Sequence, residues 1–237
     1  AVARSYPRIP PEEIRCVLVH SRERILQEMD EGLALFAQKI LAGRGVELKL
    51  GDRLVAATSE KAILKSGAEI PSKTIVSTVP SAMPPLLEKL QCAKEKGRLL
   101  VDQQLALKGY EGQVWAVGDC AFIQTVSGTQ APPTAQHATR EAHTVATNIA
   151  AEIHGGERAL FAFEGLGKLG ALGHNCAVAD VFGIKISGLL AWLLWRTIYL
   201  MKLPGLPTKI RVASDWLIAL LLPPNMAQLS LASGAGF

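Results

Sequence analysis

The sequence predicts an α/β fold followed by a C-terminal pair of amphipathic helices, and three observations carry that prediction. An apolar run at Cys16-Val17-Leu18-Val19 precedes Met29, Leu33, Phe36 and Ile40 at helical spacing, and Val46 to Leu50 follows as a second short apolar-alternating run. A further run, Val114 to Val117, ends at Gly118-Asp119, and a helical pattern opens beyond Pro132-Pro133. Two strongly apolar stretches flank Leu203-Pro204-Gly205-Leu206-Pro207 near the end of the chain.

Taken in order, Arg15 to His20 reads as the first strand, and the helix that follows ends at Gly43 and Gly45. Val46 to Leu50 is the next strand, and Leu54 to Thr58 with Lys61 to Leu64 form a hairpin. Thr74 to Val79 is expected as a final buried strand, and Pro80, Pro84 and Pro85 mark a boundary. Leu99 to Asp102 and Val114 to Val117 read as strands of the following region. Thr134 to Ile153 is a long helix whose packed face is expected to carry Ala135, Ala138, Ala142, Val145, Ala146 and Ile149. Gly165 to Gly173 is glycine-rich and Asn175 to Val181 is a strand. The string Gly165-Leu166-Gly167-Lys168-Leu169-Gly170 fits G-x-G-x-x-G in letters only, because it follows no strand and opens no clear helix. There is no internal repeat, and only a small Ser/Gly/Ala tail at Ala232 to Phe237 is compositionally biased.

The 237 residues suffice for one large or two small domains, and 49% hydrophobic against 19% charged residues is ample for a core. The net charge of +4 is mild. Residues 181–237 hold five cations (Lys185, Arg196, Lys202, Lys209, Arg211) against one acid, Asp215, so the excess sits in the most apolar part. That composition suits an anionic membrane surface, and without a dense basic run or basic-aromatic motif it argues against nucleic acid. Cys16, Cys92, Cys120 and Cys176 are far apart with no C-x-x-C, which argues against a metal cluster or redox disulfide and suits a reducing compartment. The first residues lack the apolar core of a signal peptide.

Ile186 to Met201 is apolar for 16 residues with Arg196 inside it. A spanning helix needs about 20 apolar residues, and a central charge adds a few kcal/mol of cost, so an interfacial helix is expected instead. Ile210 to Leu222 places Val212, Trp216 and Leu220 on one face and Arg211 and Asp215 elsewhere. Trp192, Trp195, Tyr199 and Trp216 are apolar rings with one polar atom and suit headgroup depth, so they are the expected membrane contacts. The alternative for both helices is packing in a core or a dimer interface.

Gly118 lets the chain turn close to a ligand, since it has no side chain. Asp119 places an acceptor at the carboxyl end of a strand, and the helix beyond it offers unpaired N–H groups and a positive dipole end. The arrangement suits an anionic, hydroxylated cofactor. Asp119 could equally cap its own turn.

The stretch Val114 to Ala121 with Ala131 to Ala142, and the Trp-rich tail from Ser187 to Arg196 with Leu203-Pro204-Gly205 and the segment beginning Lys209-Ile210-Arg211, resembles type II NADH:quinone oxidoreductases. The likeness runs from about Cys16 to Leu231. It implies an incomplete two-dinucleotide-binding-domain flavoprotein, Rossmann-like, with a C-terminal amphipathic helical membrane-binding region. Residues 1–85 would be the remainder of an NAD(P)H-binding domain, 86–160 the return segment of an FAD-binding domain, and 161–237 the membrane-associating region. The family opens with one G-x-G-x-x-G for FAD and carries a second for NADH. Neither occurs here between a strand and a helix, so the chain reads as the C-terminal part of a longer flavoenzyme, not expected to hold FAD well alone. The resemblance implies FAD as cofactor, NADH or NADPH as reductant, and a membrane quinone as acceptor, without proton pumping. It further implies a peripheral position on the cytoplasmic (inner) face of a membrane, with room for a homodimer.

By that resemblance Gly118 and Asp119 line the cofactor, with Asp119 on the ribityl chain. The family's A-Q-x-x-x-Q pattern falls on Ala135, Gln136 and Arg140, so Gln136 is assigned to the flavin or quinone and Arg140, replacing the second glutamine, to the quinone. Gln136 also reads as an ordinary solvated helix residue. Arg196 either snorkels to headgroups or lines the quinone entrance. His137 and His143 are expected on the helix surface, and His154 at its C-terminus as a dipole partner. An NAD-specific unit would carry an acid where His20 stands, to bind the ribose 2′-hydroxyl; here Arg22 follows, which could accept a 2′-phosphate or be a bystander at a helix start. The first reading implies a raised preference for NADPH or a relaxed preference for NADH. Two rival readings are another quinone-linked flavoenzyme, such as a sulfide:quinone oxidoreductase, and a non-catalytic membrane-associated flavoprotein remnant.

Overall fold

A parallel pair of strands, β1 (Cys16–His20) and β2 (Val46–Leu50), is joined by helix α1 (Glu31–Gly43) in a βαβ unit. The structure is a computed structural model that describes residues 9–78 and 83–222; the expectations at Val79, Pro80 and Ala232 to Phe237 lie outside them, as does the side chain of Leu220. Asp30 starts α1 by accepting a hydrogen bond from the Gly32 amide at 2.9 Å. Alternation along β1 sends its side chains to two covers. Leu18 packs with Ile25, Met29, Leu33 and Ala37 under α1, while Val17 and Val19 meet Ala62, Leu64 and Ile70 of a second sheet. That sheet is the antiparallel set β3 (Leu54–Ala57), β4 (Lys61–Leu64) and β5 (Glu69–Pro71). The expected strand over Thr74 to Val79 is not formed at 74–78. Those residues are exposed and pair with no other strand among the described residues, and without a neighbour's N–H and C=O groups an extended segment has no ladder.

The chain divides into two compact units, Ala1–Ile75 with Gly167–Phe237, and Val76–Leu166. The second unit holds α2 (Pro85–Lys89), the sheet β6 (Lys94–Glu95), β7 (Arg98–Leu100) and β8 (Ala121–Phe122), and the helix α3 (Ala135–His154). Its core gathers Leu99, Val101, Leu105, Leu107, Ile123 and Phe161. The strand expected at Val114 to Val117 is instead a short antiparallel contact, where Leu107 N–H donates to Val114 O at 2.8 Å and Ala106 bridges Trp115. The packed face of α3 is also not the alanine face. His137, Glu141 and Asn148 are its buried residues, with Val145 partly buried between them, while Ala135, Ala142, Ala146 and Ile149 are exposed. Asn148 explains part of this. Its Nδ2 donates to Gln104 O at 2.7 Å and Ala159 O at 3.0 Å, and its Oδ1 accepts from Ala159 N–H at 2.7 Å. It ties three backbone groups outside the helix that no sheet satisfies, which an alanine could not do.

The first unit resumes with the antiparallel meander β9 (Gly167–Ala171), β10 (Ala177–Val181) and β11 (Ile184–Gly188), then α4 (Leu189–Lys202) and α5 (Leu206–Leu221). The glycine-rich string therefore lies at and within a strand. Gly167 is required there, since a Cβ would stand 2.3 Å from Asp180 O, and a Cβ on Gly170 would lie 3.3 Å from Val178 Cγ2. β10 is buried on both faces: Val178 joins the α1 cluster, while Ala177 and Ala179 pack on Ala191 and Trp192 of α4. The apolar stretch read as one helix from Ile186 thus begins as strand β11. Among the described residues no helix is long and apolar enough to cross a membrane.

Candidate functional site

In the second unit, extended Val117 leads into one 3-10 turn over Gly118–Cys120. Gly118 sits at φ +68°, where glycine is favoured, and a Cβ on it would touch Ala138 Cβ of α3 at 3.5 Å. Its N–H donates to Glu141 Oε2 at 2.7 Å, so the second turn of α3 grips the glycine turn through a buried carboxylate. Asp119 projects next, exposed and with no hydrogen-bond partner among the described residues. Cys120 gives its S–H to Val117 O at 3.1 Å.

The start of α3 lacks a side-chain cap. Thr134 occupies the N-cap position, but its hydroxyl bonds His137 Nδ1 at 2.7 Å, and the first turn carries no acid. A positive helix end is therefore open beside an exposed acceptor. Gln136 Oε1 accepts from Leu166 N–H at 3.3 Å, and Arg140 donates to Gln136 O at 3.1 Å while its guanidinium lies 4.0 Å from the Phe163 ring centre. Gly118, Asp119, Ala135, Gln136 and Arg140 thus belong to one compact unit, on one turn and the helix that holds it.

His137 corrects an expectation. It is 1% exposed, edge-on to Phe163 at 4.9 Å, and its Nε2 has no partner among the described residues. Burial, with the Arg140 charge nearby, lowers its pKa, so the imidazole stays neutral. Glu141 is the residue that the sequence reading missed. Its signal in the sequence is the stripe His137, Glu141, Val145, Asn148 at spacings of four, four and three, which a search for an apolar face does not select because its members are mostly polar.

Burial raises the Glu141 pKa above the ordinary 4.5, the Asp119 charge adds to that, and the Gly118 N–H opposes it. The folded state therefore holds this proton more tightly than the unfolded chain. Stability from Glu141 is fully present below pH 4.5 and declines as pH rises through the raised folded value. Thermal melts of wild type and Glu141→Gln across pH 4 to 8 should show the wild type losing Tm relative to the variant as pH rises. Parallel profiles would contradict the raised pKa.

In the first unit, the Arg196 guanidinium lies 4.0 Å from the Trp192 ring centre and 4.6 Å from that of Trp216, which pins α4 to α5. Burial lowers the Arg196 pKa, yet a guanidinium remains charged. Trp192 is 8% exposed and belongs to the core, so it is not a membrane contact. Trp195 and Trp216 are half-buried and Tyr199 is exposed. His20 ends β1, with its Nε2 buried and without a partner among the described residues; Arg22 is exposed and lines a cleft of about 320 Å³ with Ser21, Gly51, Asp52, Arg53 and Lys65.

Residues 12–142, more than half of the chain, match the pyridine nucleotide-disulphide oxidoreductase family, and residues 166–222 match the NDH2 C-terminal domain. The chain therefore belongs to the pyridine nucleotide-disulphide oxidoreductases and carries the C-terminal domain of NDH2. It is 28% identical over 223 residues to a probable NADH dehydrogenase of Dictyostelium discoideum, covering 93% of this chain and 49% of that protein. It is also 28% identical over 230 residues to the type II NADH:quinone oxidoreductase NdhA of Mycobacterium tuberculosis, covering 91% of this chain and 47% of that protein. The fold is that of NDH2 from Plasmodium falciparum solved in complex with NADH, at a TM-score of 0.86, 14% identity, and coverage of 96% of this chain and 62% of that one. The chain spans about half the length of the curated relatives it matches.

Proposed function

We propose that this chain serves flavin-dependent oxidation of NADH, or NADPH, with electron transfer to a membrane quinone and without proton pumping. The observation that carries this reading is the Gly118-Asp119 turn, clamped by Glu141 against the uncapped start of α3. The donor set fits FAD: an exposed carboxylate for ribityl hydroxyls, and a positive helix end for the electron-rich edge of the flavin ring. When bound, FAD would supply the two-electron chemistry linking nicotinamide oxidation to quinone reduction. The chain's own residues then act as holders. With FAD bound, Asp119 would accept from a ribityl hydroxyl, the first N–H groups of α3 would favour negative charge on the flavin, and the Gln136 amide and Arg140 guanidinium would be the donors for a quinone oxygen. Flavin content and NADH:quinone turnover, measured on the protein as its source makes it, test this. Bound FAD with turnover is expected, and Asp119→Ala should lower FAD retention by roughly tenfold, the equivalent of one charge-assisted hydrogen bond of about 1.5 kcal/mol. Absence of flavin would overturn the reading.

We also propose that α4 and α5 rest on the cytoplasmic (inner) face of a membrane, with Trp195, Tyr199 and Trp216 near headgroup depth. The support is the exposure of Leu190 (70%), Met201 (65%), Leu206 (69%) and Leu217 (64%) beside Lys202 and Arg211. Such a face combines apolar insertion with attraction to anionic lipid worth about 1 kcal/mol per cation. Co-sedimentation should show binding to anionic vesicles that weakens with added salt, and Leu190→Asp with Leu217→Asp should abolish it. No binding by the wild type would refute this placement. A homodimer is a further expectation of the family reading, checked by light scattering.

A further inference from the structure

We propose that the cleft at the carboxyl ends of β1 and β2 is a phosphate-monoester site, with Arg22, Arg53 and Lys65 reading the 2′-phosphate of the reduced nicotinamide nucleotide. This inference rests on the nicotinamide-dependent reading above. The cleft is assembled from three backbone segments that hydrogen bonds lace together. Gly51 N–H donates to Arg22 O at 3.0 Å, Asp52 N–H to His20 O at 3.2 Å, and Lys65 N–H to Arg53 O at 2.9 Å. These bonds bring a cation from beyond β1, one from beyond β2 and one from beyond β4 to the rim of a single cleft. At about 320 Å³ it lies at the lower end of small-molecule sites, which run about 300–1,000 Å³. It also sits outside the carboxyl ends of parallel strands, where open α/β sheets take ligands.

The charges favour an anion. None of the Arg22, Arg53 and Lys65 side chains makes an ion pair or hydrogen bond among the described residues, whereas Arg15, Lys61, Arg158 and Lys185 are all paired with carboxylates. Asp52, the one acid lining the cleft, is already engaged. One oxygen accepts from Arg53 N–H at 2.8 Å and Ser66 N–H at 3.2 Å, and the other takes the Ser66 hydroxyl. These bonds, the Ser66 hydroxyl foremost, lower its pKa, so Asp52 stays charged and serves as a loop clamp. Glu23 adds a second carboxylate, packed against Gly51 so closely that a Cβ there would lie 2.9 Å from Glu23 Oε1. Three cations against two carboxylates leave a net positive cleft. Two guanidinium forks match the oxygens of a phosphate, the lysine adds a mobile point charge, and Ser21 supplies a hydroxyl. An acid at the end of β1, which would repel a phosphate while binding a ribose hydroxyl, is replaced by His20.

Calorimetric titration of the full chain with 2′,5′-ADP and with 5′-AMP, which differ only by the 2′-phosphate, tests the site without any flavin turnover. The 2′-phosphorylated probe should bind at least tenfold more tightly, and the advantage should shrink with added salt. Arg22→Ala, Arg53→Ala and Lys65→Ala, all at exposed side chains, should each cut that ratio severalfold and leave 5′-AMP affinity unchanged. Arg53→Lys should recover only part of it, because it keeps the charge and loses the fork. Equal affinities for the two probes in the wild type, or an unchanged ratio in all three alanine variants, would overturn the inference while leaving the nucleotide reading in place. Failure to bind either probe would overturn both.

Discussion

Replacing Asn148 with leucine should cost about 3 kcal/mol or more and preferentially loosen the unit formed by residues 76–166. The side chain is completely buried and makes three hydrogen bonds to backbone groups of Gln104 and Ala159. Leucine is close in volume, so little cavity is created. What is lost is the partner of two carbonyls and one N–H, each costing about 1–3 kcal/mol when left unpaired away from water. Asn148→Asp separates geometry from chemistry. It keeps the acceptor for Ala159 N–H but sets a carboxylate oxygen against two carbonyls, so it should be worse than leucine at neutral pH and recover in acid, where a protonated oxygen can donate to one of them. Hydrogen exchange over residues 99–107 and 158–163 would read the loosening directly. The exposed neighbour Thr147→Ala should change stability by less than about 0.5 kcal/mol. A loss below about 1 kcal/mol for Asn148→Leu would show that the three backbone groups find other partners.

Gly167→Ala is expected to be comparably severe, at about 3 kcal/mol, for a steric reason. The position has φ +131°, and an added Cβ would lie 2.3 Å from Asp180 O and 2.8 Å from Val181 Cα. Both neighbours are backbone in β10, so relief requires β9 to separate from its partner at the Gly167–Val181 pair. Gly183→Ala provides the control. It also has a positive φ, +80°, but nothing lies within 4 Å of its Cβ, so only the left-handed backbone term of about 1–2 kcal/mol applies. Thermal melts should rank wild type above Gly183→Ala, and that above Gly167→Ala. Equal losses for the two variants would mean that backbone conformation alone, and not the close approach of β10, holds glycine at 167.

Much of the fold was legible because it rests on local periodicity. The β1–α1–β2 unit follows from an apolar run, a 3.6-residue repeat and a second run, and the structure has it at Cys16–His20, Glu31–Gly43 and Val46–Leu50. The hairpin of β3 and β4 was legible for the same reason. The errors fall where a segment's state depends on a distant neighbour. Thr74 to Val79 is as apolar as a strand, but at 74–78 no described strand pairs with it. The stretch from 165 to 173 reads only as glycine-rich, yet Gly167 and Gly170 permit β9 to approach β10 closely. On α3 the rule that apolar residues face inward chose the alanines, while the helix buries His137, Glu141 and Asn148 because each has a polar partner waiting: Thr134, the Gly118 amide, and the backbone of Gln104 and Ala159.

Residue type and short spacing are enough to mark the Gly118-Asp119 turn, the helix beyond it and the lack of an acid at the last position of β1, where His20 stands. Tertiary structure alone decided that Glu141 holds the glycine turn, that Arg196 lies between two tryptophan rings, and that Arg53 and Lys65 join Arg22 around one cleft. The physical reason is common to all three. A charged side chain acquires its role from whatever the fold sets close to it, where Coulomb and hydrogen-bond energies become large, and in each case a deciding neighbour is remote in sequence: Gly118 from Glu141, Trp216 from Arg196, and Arg53 and Lys65 from Arg22.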